Sequence, residues 1–483
     1  LPMEPGTGQP CEYGSNGLQY WMTRVLRERE RARGGFEPEA VHDLRVALRR
    51  CRSIADGYMI FDPHPSWGRM KRSGRQLFRE LGELRDTQVM AEWVGRIPTD
   101  PDATAAALLR HLAAREAEQA ARASGAVLAF DRKKWAGWIR PLSGRIRRIP
   151  PGSMAFRHLA LERWADALAL HAQALRNRSH AAYHRLRIGL KKFRYTAEHF
   201  LPDRYEDWGG EMGELQDLLG EMHDLHVLWT TAAAIRAFPD EESRQKWKRL
   251  IAGEIQSRRE RYRQAATGPG SKWDAWRAGL PRPEHVPTAA LARLRTWASF
   301  RSPVSAHANH VARLSLQIYD GLEALGWAGT GMPADARFAL KTAALVHEAG
   351  IGGGRGKHHL RAYRMIREMP ASPGLDAGSL KAIALIVRFH RGAPPRPGQK
   401  ALSGLPPAQA RSILLLCGIL RLAHALDWRR PKRIPRLTLS RGAETLRIHA
   451  PGYTGEDASA EKISAARHLL ETCCATPILI SPE

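Results

Sequence analysis

The sequence predicts a mainly α-helical protein, made of two similar helical bundles followed by a mostly helical domain with a small terminal β-sheet. Helical periodicity dominates residues 17–265, where leucine, alanine, arginine and glutamate recur and β-branched runs are few. A basic eleven-residue pattern occurs twice in this region, beginning at His42 and again at His184. Two copies spaced by about 140 residues predict two bundles related by a pseudo-twofold axis.

Each copy of the repeated pattern places its basic residues on one face of a helix. The copies read HDLRVALRRCR and HRLRIGLKKFR. At about 100° per residue, side chains three, seven and ten positions after the histidine share an arc of roughly 80°. These two basic stripes consist of His42, Arg45, Arg49 and Arg52, and of His184, Arg187, Lys191 and Arg194. Because like charges at i,i+4 spacing repel, two such stripes predict an anionic partner.

A second part of the repeat follows each stripe. LGELRDTQVM spans 81–90 and LGEMHDLHVL spans 219–228, at nearly the same distance from the preceding stripe. We interpret one repeat as a basic-stripe helix, a second helix and an LGE-x-x-D element. A twofold axis between the repeats would bring the two stripes face to face.

Composition gives the domain boundaries. A segment that contains glycine, proline and tryptophan, Thr267–Pro287, interrupts the helical patterns. We therefore expect a first domain at 17–265, a linker at 266–290 and a second domain at 291–483. Near the end of the second domain, RLTLSRGAETLRIHA alternates around Arg441 and Gly442 and predicts a β-hairpin, and ATPILI predicts a further strand.

The charge of the chain restricts the class of partner. The formal net charge is +26 at pH 7, and both halves are basic. This balance favours polyanions such as inorganic polyphosphate, nucleic acid, nucleotides or an acidic membrane surface. The five cysteines show no metal-ligand spacing, the N-terminus lacks the pattern of a signal peptide, and the longest apolar run is too short to span a bilayer. We therefore expect a cytoplasmic protein that has no membrane partner.

The stretches VHDLRVALRRCR and YHRLRIGLKKFRY, with LQDLLGEMHDLHVL after the second, resemble the signature of the conserved-histidine α-helical domain, CHAD. The resemblance covers residues 17–265 and implies two pseudo-symmetric four-helix bundles around a basic central cavity. It also implies binding of inorganic polyphosphate. By position, the residues implied to bind phosphate are His42, Arg45, Arg49, Arg50, Arg52, His184, Arg187, Lys191, Lys192 and Arg194.

The physics of the ligand agrees with this resemblance. Polyphosphate has about one negative charge per unit and no bases, so its recognition needs many arginine and lysine donors and few aromatic platforms. The stripes are rich in cations and poor in aromatic residues, which disfavours single-stranded nucleic acid. Binding of this kind requires no cofactor. Polyphosphate granules are an expected cellular partner. Whether the protein forms a homodimer is left open by the sequence.

The second domain resembles the C-terminal, HD-like domain of the exopolyphosphatase and guanosine pentaphosphate phosphohydrolase family. The pieces that carry this resemblance are HANHVARLSLQIYDGL, ALVHEAGIGGG, KHHLRAYRMI, ALIVRFHRGAPP and GILRLAHALD. In the wider HD phosphohydrolases, a histidine, a His–Asp pair and a later aspartate hold metal ions that activate water. By position these ligands are His307, His347, Glu348 and His424.

Two of these positions depart from the HD pattern. Glu348 and His424 stand where the superfamily has aspartates, and Asp427 lies three residues beyond the second. We therefore expect a degenerate metal motif, kept for packing, dimerisation or polyanion binding, although a divalent metal ion stays an alternative. Several histidines in this domain have cationic neighbours, which favours a secondary anion site. That site would consist of Lys357, His358, His359, Arg361, Arg388, His390 and Arg391.

Three hypotheses about function follow. The first, which we favour, is a non-catalytic polyphosphate-binding protein that uses the basic stripes. The second is a metal-dependent phosphohydrolase that acts on polyphosphate or a related phosphate compound through the HD-like domain. The third is a nucleic-acid-binding protein, for which the sequence lacks a groove-reading or base-stacking motif.

Overall fold

The protein divides into two compact units. The computed structural model describes residues 17–34, 36, 38–97, 102–302, 305–327, 332–354, 356–396, 399–427, 434–454 and 458–482. The N-terminal unit comprises Leu1–Ile60 and His64–Arg282, and the C-terminal unit comprises Phe61–Pro63 and Pro283–Glu483. Each unit is described by itself below.

The N-terminal unit is helical throughout its described residues. Its helices are α1 (Gly17–Gly34), α2 (Pro38–Met59), α3 (Pro65–Ser73), α4 (Arg75–Arg96), α5 (Ala103–Ala129), α6 (Arg132–Ile146), α7 (Met154–Asn177), α8 (His180–Phe200), α9 (Pro202–Ala234), α10 (Glu241–Ala266) and α11 (Lys272–Ala278). Several of these helices begin at a polar N-cap residue. The Asp102 carboxylate accepts a hydrogen bond from the Ala105 amide, and the Ser179 hydroxyl accepts one from the Ala182 amide, so an otherwise unpaired amide of the first turn is satisfied.

Helices of the N-terminal unit form two bundles with the same order of contacts. In the first bundle α1 packs on α2 and α5, and α4 packs on α2 and α5. In the second bundle α7 packs on α8, α8 on α9, and α9 on α10. The first bundle also has α3 and α6, which contact each other. This architecture confirms the predicted fold class of two pseudo-symmetric four-helix bundles.

The LGE-x-x-D elements lie inside long helices. Leu81–Met90 lies within α4, and Leu219–Leu228 lies within α9, whose 33 residues continue without a break. The separate second helix expected in each repeat is therefore present only in the first, as α3, among the described residues. Buried residues at helical spacing, among them Trp208, Met212, Leu215 and Leu219, give α9 a continuous packed face, which explains its continuity.

Equivalent helices of the two bundles meet in shared cores. Trp93 of α4 and Leu112 of α5 are buried in one cluster with Leu225 of α9 and Trp247 of α10. Elsewhere α2 contacts α8, and α4 contacts α9. These contacts place the two stripe helices, α2 and α8, side by side.

The segment that the sequence analysis interprets as a linker has ordered structure. Residues 266–290 contain α11, in which Trp273 and Trp276 are buried. Helix α11 packs on α7 and α10, and the Trp276 indole donates a hydrogen bond to the Glu211 carboxylate. The large apolar area of two indoles gives this segment a packing role within the N-terminal unit. The division between the units falls after Arg282.

The C-terminal unit is mostly helical and ends in a three-stranded sheet. Its elements are α12 (Val286–Ser299), α13 (Ser305–Ala324), α14 (Ala336–Val346), α15 (His358–Arg367), α16 (Ala377–Phe389), α17 (Pro407–Leu426), β1 (Thr438–Arg441), β2 (Leu446–His449), α18 (Ala458–Cys474) and β3 (Ile478–Ser481). Strands β1 and β2 pair in antiparallel fashion, which confirms the predicted hairpin. Strand β3, also predicted, pairs in parallel with β2, with Leu446 opposite Ile478. The crossover through α18 makes this parallel pairing feasible.

Helix α17 is the central helix of the C-terminal unit. It contacts α13, α14, α16 and α18. By length and composition it is apolar enough to cross a membrane, but 67% of that segment is buried inside the protein, as expected of a core helix. Its buried face carries His424 into the interior, where other histidines meet it.

Candidate functional site

Four cations from the two stripe helices lie together in the N-terminal unit. Arg45 and Arg49 are on α2, and Arg187 and Lys191 are on α8. Burial, and then the charges of Arg49, Arg187 and Arg45, lower the pKa of Lys191 to about 8. Burial and Arg49 also lower the pKa of Arg45. We call these four residues the basic cluster.

Two buried hydrogen-bond donors of the basic cluster lack acceptors among the described residues. The Nε atoms of Arg45 and Arg49 are buried and have no hydrogen-bond partner among the described residues. A buried donor without a partner costs about 1–3 kcal/mol, and more when it is charged. The cluster therefore combines mutual repulsion with unsatisfied donors, and an anion would relieve both.

One aspartate from each LGE-x-x-D element faces the basic cluster. Asp86 Oδ1 lies 3.9 Å from Arg45 Nη2. Burial raises the pKa of Asp86, and Arg45, Arg187 and Lys191 oppose that change. Burial likewise raises the pKa of Asp224 to about 6, against the charges of Arg187 and Arg45. The basic cluster therefore has two carboxyl groups at its edge, and burial favours the neutral form of both.

A stripe arginine lies beside the glycine of the LGE-x-x-D element in each repeat. A Cβ atom built on Gly82 would lie 4.0 Å from Arg45 Nε, and one built on Gly220 would lie 3.9 Å from Arg187 Nε. The two repeats thus bring a stripe arginine and this element together at equivalent positions.

Other predicted phosphate ligands bind to their own chain. Arg50 forms an ion pair with the buried Glu198. Arg52 donates a hydrogen bond to the Lys71 carbonyl at 3.0 Å, and its guanidinium lies 5.0 Å from the centre of the Phe78 ring. The Arg194 guanidinium donates hydrogen bonds to the Tyr205 hydroxyl at 3.3–3.4 Å. Lys192 is exposed on α8.

These contacts correct the sequence-based interpretation of the stripe as one uniform binding face. The two arginines at the C-terminal end of the stripes, Arg52 and Arg194, are held by neighbouring helices. Arg50 neutralises a buried carboxylate, which is costly to leave unpaired. The structure therefore concentrates the candidate anion site on the basic cluster.

The two signature histidines differ in environment. His42 is exposed on α2. Its pKa is nevertheless lowered, first because its ring is partly removed from water and then because of the charges of Arg85 and Arg49. His184 is partly buried, and its ring centre lies 4.6 Å from that of His223. Its Nδ1 atom has no hydrogen-bond partner within the part of the chain that the structure describes.

In the C-terminal unit, three histidines predicted as metal ligands converge. His307 comes from α13, His347 directly follows α14, and His424 comes from α17. One nitrogen atom of each lies within 4.8 Å of the others. Burial, the largest cause, lowers the pKa of His347 to about 3 and that of His424 well below its usual value. His347 and His424 are therefore neutral at pH 7, the form in which imidazole binds metal ions.

The tautomer of His347 suits a metal ligand. Its Nδ1 lies 2.7 Å from the Ala344 carbonyl oxygen, so Nδ1–H donates there and Nε2 keeps its lone pair. This Nε2 atom is buried and has no hydrogen-bond partner among the residues described. A buried acceptor aimed into a group of histidines fits a metal ion better than it fits a solvent-free core.

Two carboxylates complete this set. Asp427 Oδ2 lies 2.6 Å from His307 Nδ1, and Asp427 Oδ1 lies 3.5 Å from His310 Nε2. On the other side of the ring, Glu348 Oε1 lies 3.9 Å from His307 Nε2. Asp427 therefore orients His307 in the manner of a carboxylate behind a metal-bound histidine. Glu348 stands on the side where His307 Nε2 is available.

His358 and His390 extend the group of histidines. The His390 ring centre lies 4.8 Å from that of His347 and 5.1 Å from that of His424. His390 Nδ1 lies 2.7 Å from the Val387 carbonyl oxygen, the same arrangement that fixes the tautomer of His347. His358 Nε2 lies 3.3 Å from His390 Nε2. We call His307, His347, His358, His390 and His424 the histidine centre.

The residues of the predicted secondary anion site occupy different environments. His358 and His390 are buried, and their Nε2 atoms lie 3.3 Å apart. Arg361 donates to the carbonyls of Gly350, Gly354 and Gly356. Arg388 lies over the rings of Tyr363 and Phe389. Lys357 and Arg391 are exposed and His359 is partly buried, so anion binding by this set stays a prediction.

A cavity opens beside the histidine centre. Its volume is about 310 Å³, and Glu348 is part of its wall. Polar groups on α12 and α13 line it as well, among them Arg295, Thr296 and Asn309. The Glu348 side chain is therefore accessible from this cavity.

Comparisons with known proteins agree with both parts of this description. A family model of the CHAD domain matches residues 18–233, and a model of the Ppx/GppA phosphatase, domain III, matches residues 303–451. The crystal structure of the CHAD domain from the plant Ricinus communis is similar at 22% sequence identity and a TM-score of 0.39, over 56% of this chain and 91% of that chain. No curated protein matches the chain.

The chain carries a CHAD domain and a Ppx/GppA phosphatase domain III. The CHAD match ends at residue 233, before α10, yet α10 packs on α9 and completes the second bundle. The domain III match spans all five residues of the histidine centre, and Glu348 and Asp427 as well.

Sequence reasoning missed residues in both domains. In the CHAD domain it did not assign Asp86 and Asp224, although the repeated LGE-x-x-D element was a usable signal. In domain III it assigned His358 and His390 to anion binding because arginines and lysines are near them in sequence. Their burial beside His347 depends on the packing of α15 and α16, which local sequence does not show.

Proposed function

We propose that the CHAD domain binds inorganic polyphosphate through the basic cluster of Arg45, Arg49, Arg187 and Lys191. The observation that supports this most is the pair of buried Nε donors of Arg45 and Arg49, which have no hydrogen-bond partner in the part of the chain that the structure describes. Burial, and then the neighbouring cations, also lower the pKa of Lys191 to about 8. A chain of phosphate oxygens would satisfy the donors and neutralise the repulsion. We extend the proposal to the polyphosphate granules of the cytoplasm as the cellular partner.

Nucleic acid fits this site less well. Base recognition in single strands uses exposed aromatic faces. Among the described residues, Tyr20 is the one large aromatic side chain that is strongly exposed, at 47%, and it lies on α1 rather than on α2 or α8. The ligand that matches the basic cluster is therefore a polyanion without bases.

Competition between polyphosphate and duplex DNA tests this proposal. At equal charge concentration and physiological salt, we expect long-chain polyphosphate to bind more tightly than DNA, with an affinity that falls steeply as salt rises. Filter binding with labelled polyphosphate and unlabelled DNA as competitor measures the difference. Equal or stronger binding to DNA would contradict the proposal.

Polyphosphate affinity is also expected to fall as the pH rises from about 7 to about 9. The bound anion favours the charged form of Lys191, so the complex takes up a proton wherever free Lys191 is neutral. Above its pKa of about 8, each further pH unit therefore lowers affinity by up to about tenfold. Below about pH 6, protonation of Asp224 removes a negative charge beside Arg187, so affinity should rise further as the pH falls.

A Lys191→Arg variant is the matched control for this pH dependence. Arginine keeps its charge over the whole range, so the variant should bind with nearly constant affinity between about pH 7 and pH 9. Isothermal titration of both proteins at each pH measures the effect. An identical loss of affinity in the parent and the variant would show that Lys191 is not the responsible group.

The histidine centre of domain III favours a second candidate function, a metal-dependent phosphohydrolase. The buried Nε2 lone pair of His347 and the lowered pKa values of His347, His390 and His424 fit a metal ion. His307, His347 and His424 would hold the ion, with Glu348 beside them. Imidazole ligands favour Zn²⁺ or Fe²⁺ over Mg²⁺, and a carboxylate such as that of Glu348 also suits Mn²⁺. When bound, such an ion would polarise a phosphoryl oxygen and activate water.

A further inference from the structure

Two helices of domain III meet behind the histidine centre. His307 and His310 lie one turn apart on α13, and Arg313 follows one turn later. Residues at i,i+3 spacing share one side of a helix. Helix α17 ends at its C-cap residue, Asp427. Because α13 packs on α17, the Asp427 carboxylate reaches this side of α13.

The hydrogen bonds between these four side chains have a defined direction. A guanidinium group can only donate, so Arg313 Nη2 donates to His310 Nδ1 at 2.8 Å. An imidazole that accepts at Nδ1 has its proton on Nε2, and His310 Nε2 lies 3.5 Å from Asp427 Oδ1. The other oxygen, Asp427 Oδ2, lies 2.6 Å from His307 Nδ1. A carboxylate can only accept, so neutral His307 has its proton on Nδ1 and keeps the lone pair on Nε2.

The same geometry places Asp427 behind the candidate metal site rather than in it. The nitrogen atoms that lie within 4.8 Å of one another belong to His307, His347 and His424. Asp427 contacts the Nδ1 edge of His307, whereas Glu348 Oε1 lies 3.9 Å from His307 Nε2. Asp427 is also buried, with 3% of its surface exposed. A carboxylate in this position fixes the orientation and the tautomer of a histidine ligand.

We propose that Asp427 is a positioning residue that selects the metal-binding tautomer of His307, and that His310 and Arg313 set the direction of its hydrogen bonds. This inference rests on metal binding by domain III, the second candidate function. It gives Asp427 a role different from that of a metal-ligating aspartate. It also gives a role to the whole segment HANHVAR of α13, which supplies one ligand and the two residues that support Asp427.

An Asp427→Asn variant tests the proposal, because asparagine keeps the size of the side chain but replaces one oxygen by an NH₂ group. The N–H of His310 needs an acceptor, so the amide oxygen should face His310 and the NH₂ group should face His307 Nδ1. His307 would then have its proton on Nε2, the wrong tautomer for a ligand. Competition with a chromophoric chelator measures Zn²⁺ binding to the full chain. We expect Asp427→Asn to weaken the zinc equivalent that His347→Ala removes by about tenfold to a hundredfold.

A His310→Phe change separates tautomer selection from a general loss of structure. Phenylalanine has no N–H, so the amide of Asp427→Asn can turn and offer its oxygen to His307 Nδ1. We expect the double variant to bind Zn²⁺ at least about threefold more tightly than Asp427→Asn, whereas a merely structural role would make it bind more weakly. The control is Asp320→Asn on the same helix, since the Asp320 carboxylate pairs with Arg337 at 2.7 and 2.9 Å. Its zinc affinity should equal that of the parent.

Nitrogen NMR of the metal-free protein with isotope-labelled histidine reports the tautomer directly. The His307 signals, assigned with a His307→Gln variant, should show the proton on Nδ1 in the parent and on Nε2 in Asp427→Asn. A zinc stoichiometry that His347→Ala leaves unchanged would contradict metal binding by domain III, and the NMR result would still decide the role of Asp427. A proton on His307 Nε2 in the parent, or equal domain III zinc affinity in the parent and Asp427→Asn, would overturn the inference.

Discussion

Replacing Arg45, Arg49, Arg187 and Lys191 together by glutamine is expected to lower polyphosphate affinity by about a hundredfold or more. Hydrogen bonds to charged groups contribute about 1.5–3 kcal/mol each, and every 1.4 kcal/mol is a factor of ten in Kd. Glutamine is preferable to glutamate, because Asp86 and Asp224 already face these positions. Filter binding measures the affinity, and thermal unfolding should show a Tm that holds or rises as the like-charge repulsion is relieved.

The matched control is an Arg52→Gln/Arg194→Gln variant. Both arginines belong to the same stripes, but their guanidinium groups bind the Lys71 carbonyl and the Tyr205 hydroxyl. We expect this variant to keep polyphosphate affinity within a few-fold of the parent. If it lost affinity as strongly as the quadruple variant did, general helix charge rather than the basic cluster would determine binding.

Addition of Zn²⁺ or Mn²⁺ is expected to stabilise domain III, and His347→Ala or His424→Ala should abolish that effect. An ion present at a hundred times its Kd adds about 2.7 kcal/mol to the free energy of unfolding, which raises Tm by several degrees. Differential scanning calorimetry with and without a chelator measures the shift. Phosphate release from polyphosphate, assayed in parallel, should depend on the same two histidines if this domain is catalytic.

A His285→Gln variant serves as the control for this experiment. His285 is an exposed histidine of the same unit, at the end of a short turn before α12. Its metal-dependent Tm shift should equal that of the parent. A shift that survives in both His347→Ala and His424→Ala would show that the ion binds elsewhere.

Much of the fold could be predicted because local patterns determine it. The duplicated stripe predicted α2 and α8, and the alternation around Arg441 and Gly442 predicted the hairpin of β1 and β2. The prediction of a separate second helix in the other repeat was wrong, because α9 continues through that position. Helix continuity there depends on the tertiary packing of a buried face, which outweighs the low helix propensity of Gly209, Gly210 and Gly213 and which local sequence does not show.

The site was harder to predict because tertiary packing determines which residues belong to it. Helical spacing placed Arg52 and Arg194 in line with Arg45 and Arg187, but spacing cannot show which neighbour a long side chain will bind. Asp86 shares its cluster with residues of another repeat, more than a hundred positions away in the chain. In domain III, His358 and His390 meet across 32 residues, and local sequence does not show that His390 lies beside His347.

The reactivity of Lys191 tests the central claim most directly. A lysine with a pKa of about 8 is partly neutral at pH 8 and should react quickly with an acetylating reagent, whereas the exposed Lys133 of α6 provides an internal standard. Mass spectrometry of the parent protein, with and without saturating polyphosphate, gives both rates. We predict that polyphosphate slows acetylation of Lys191 by at least about tenfold, since the bound anion raises its pKa and covers it, and leaves Lys133 unchanged. An unchanged rate at Lys191 in the presence of bound polyphosphate would contradict binding at the basic cluster.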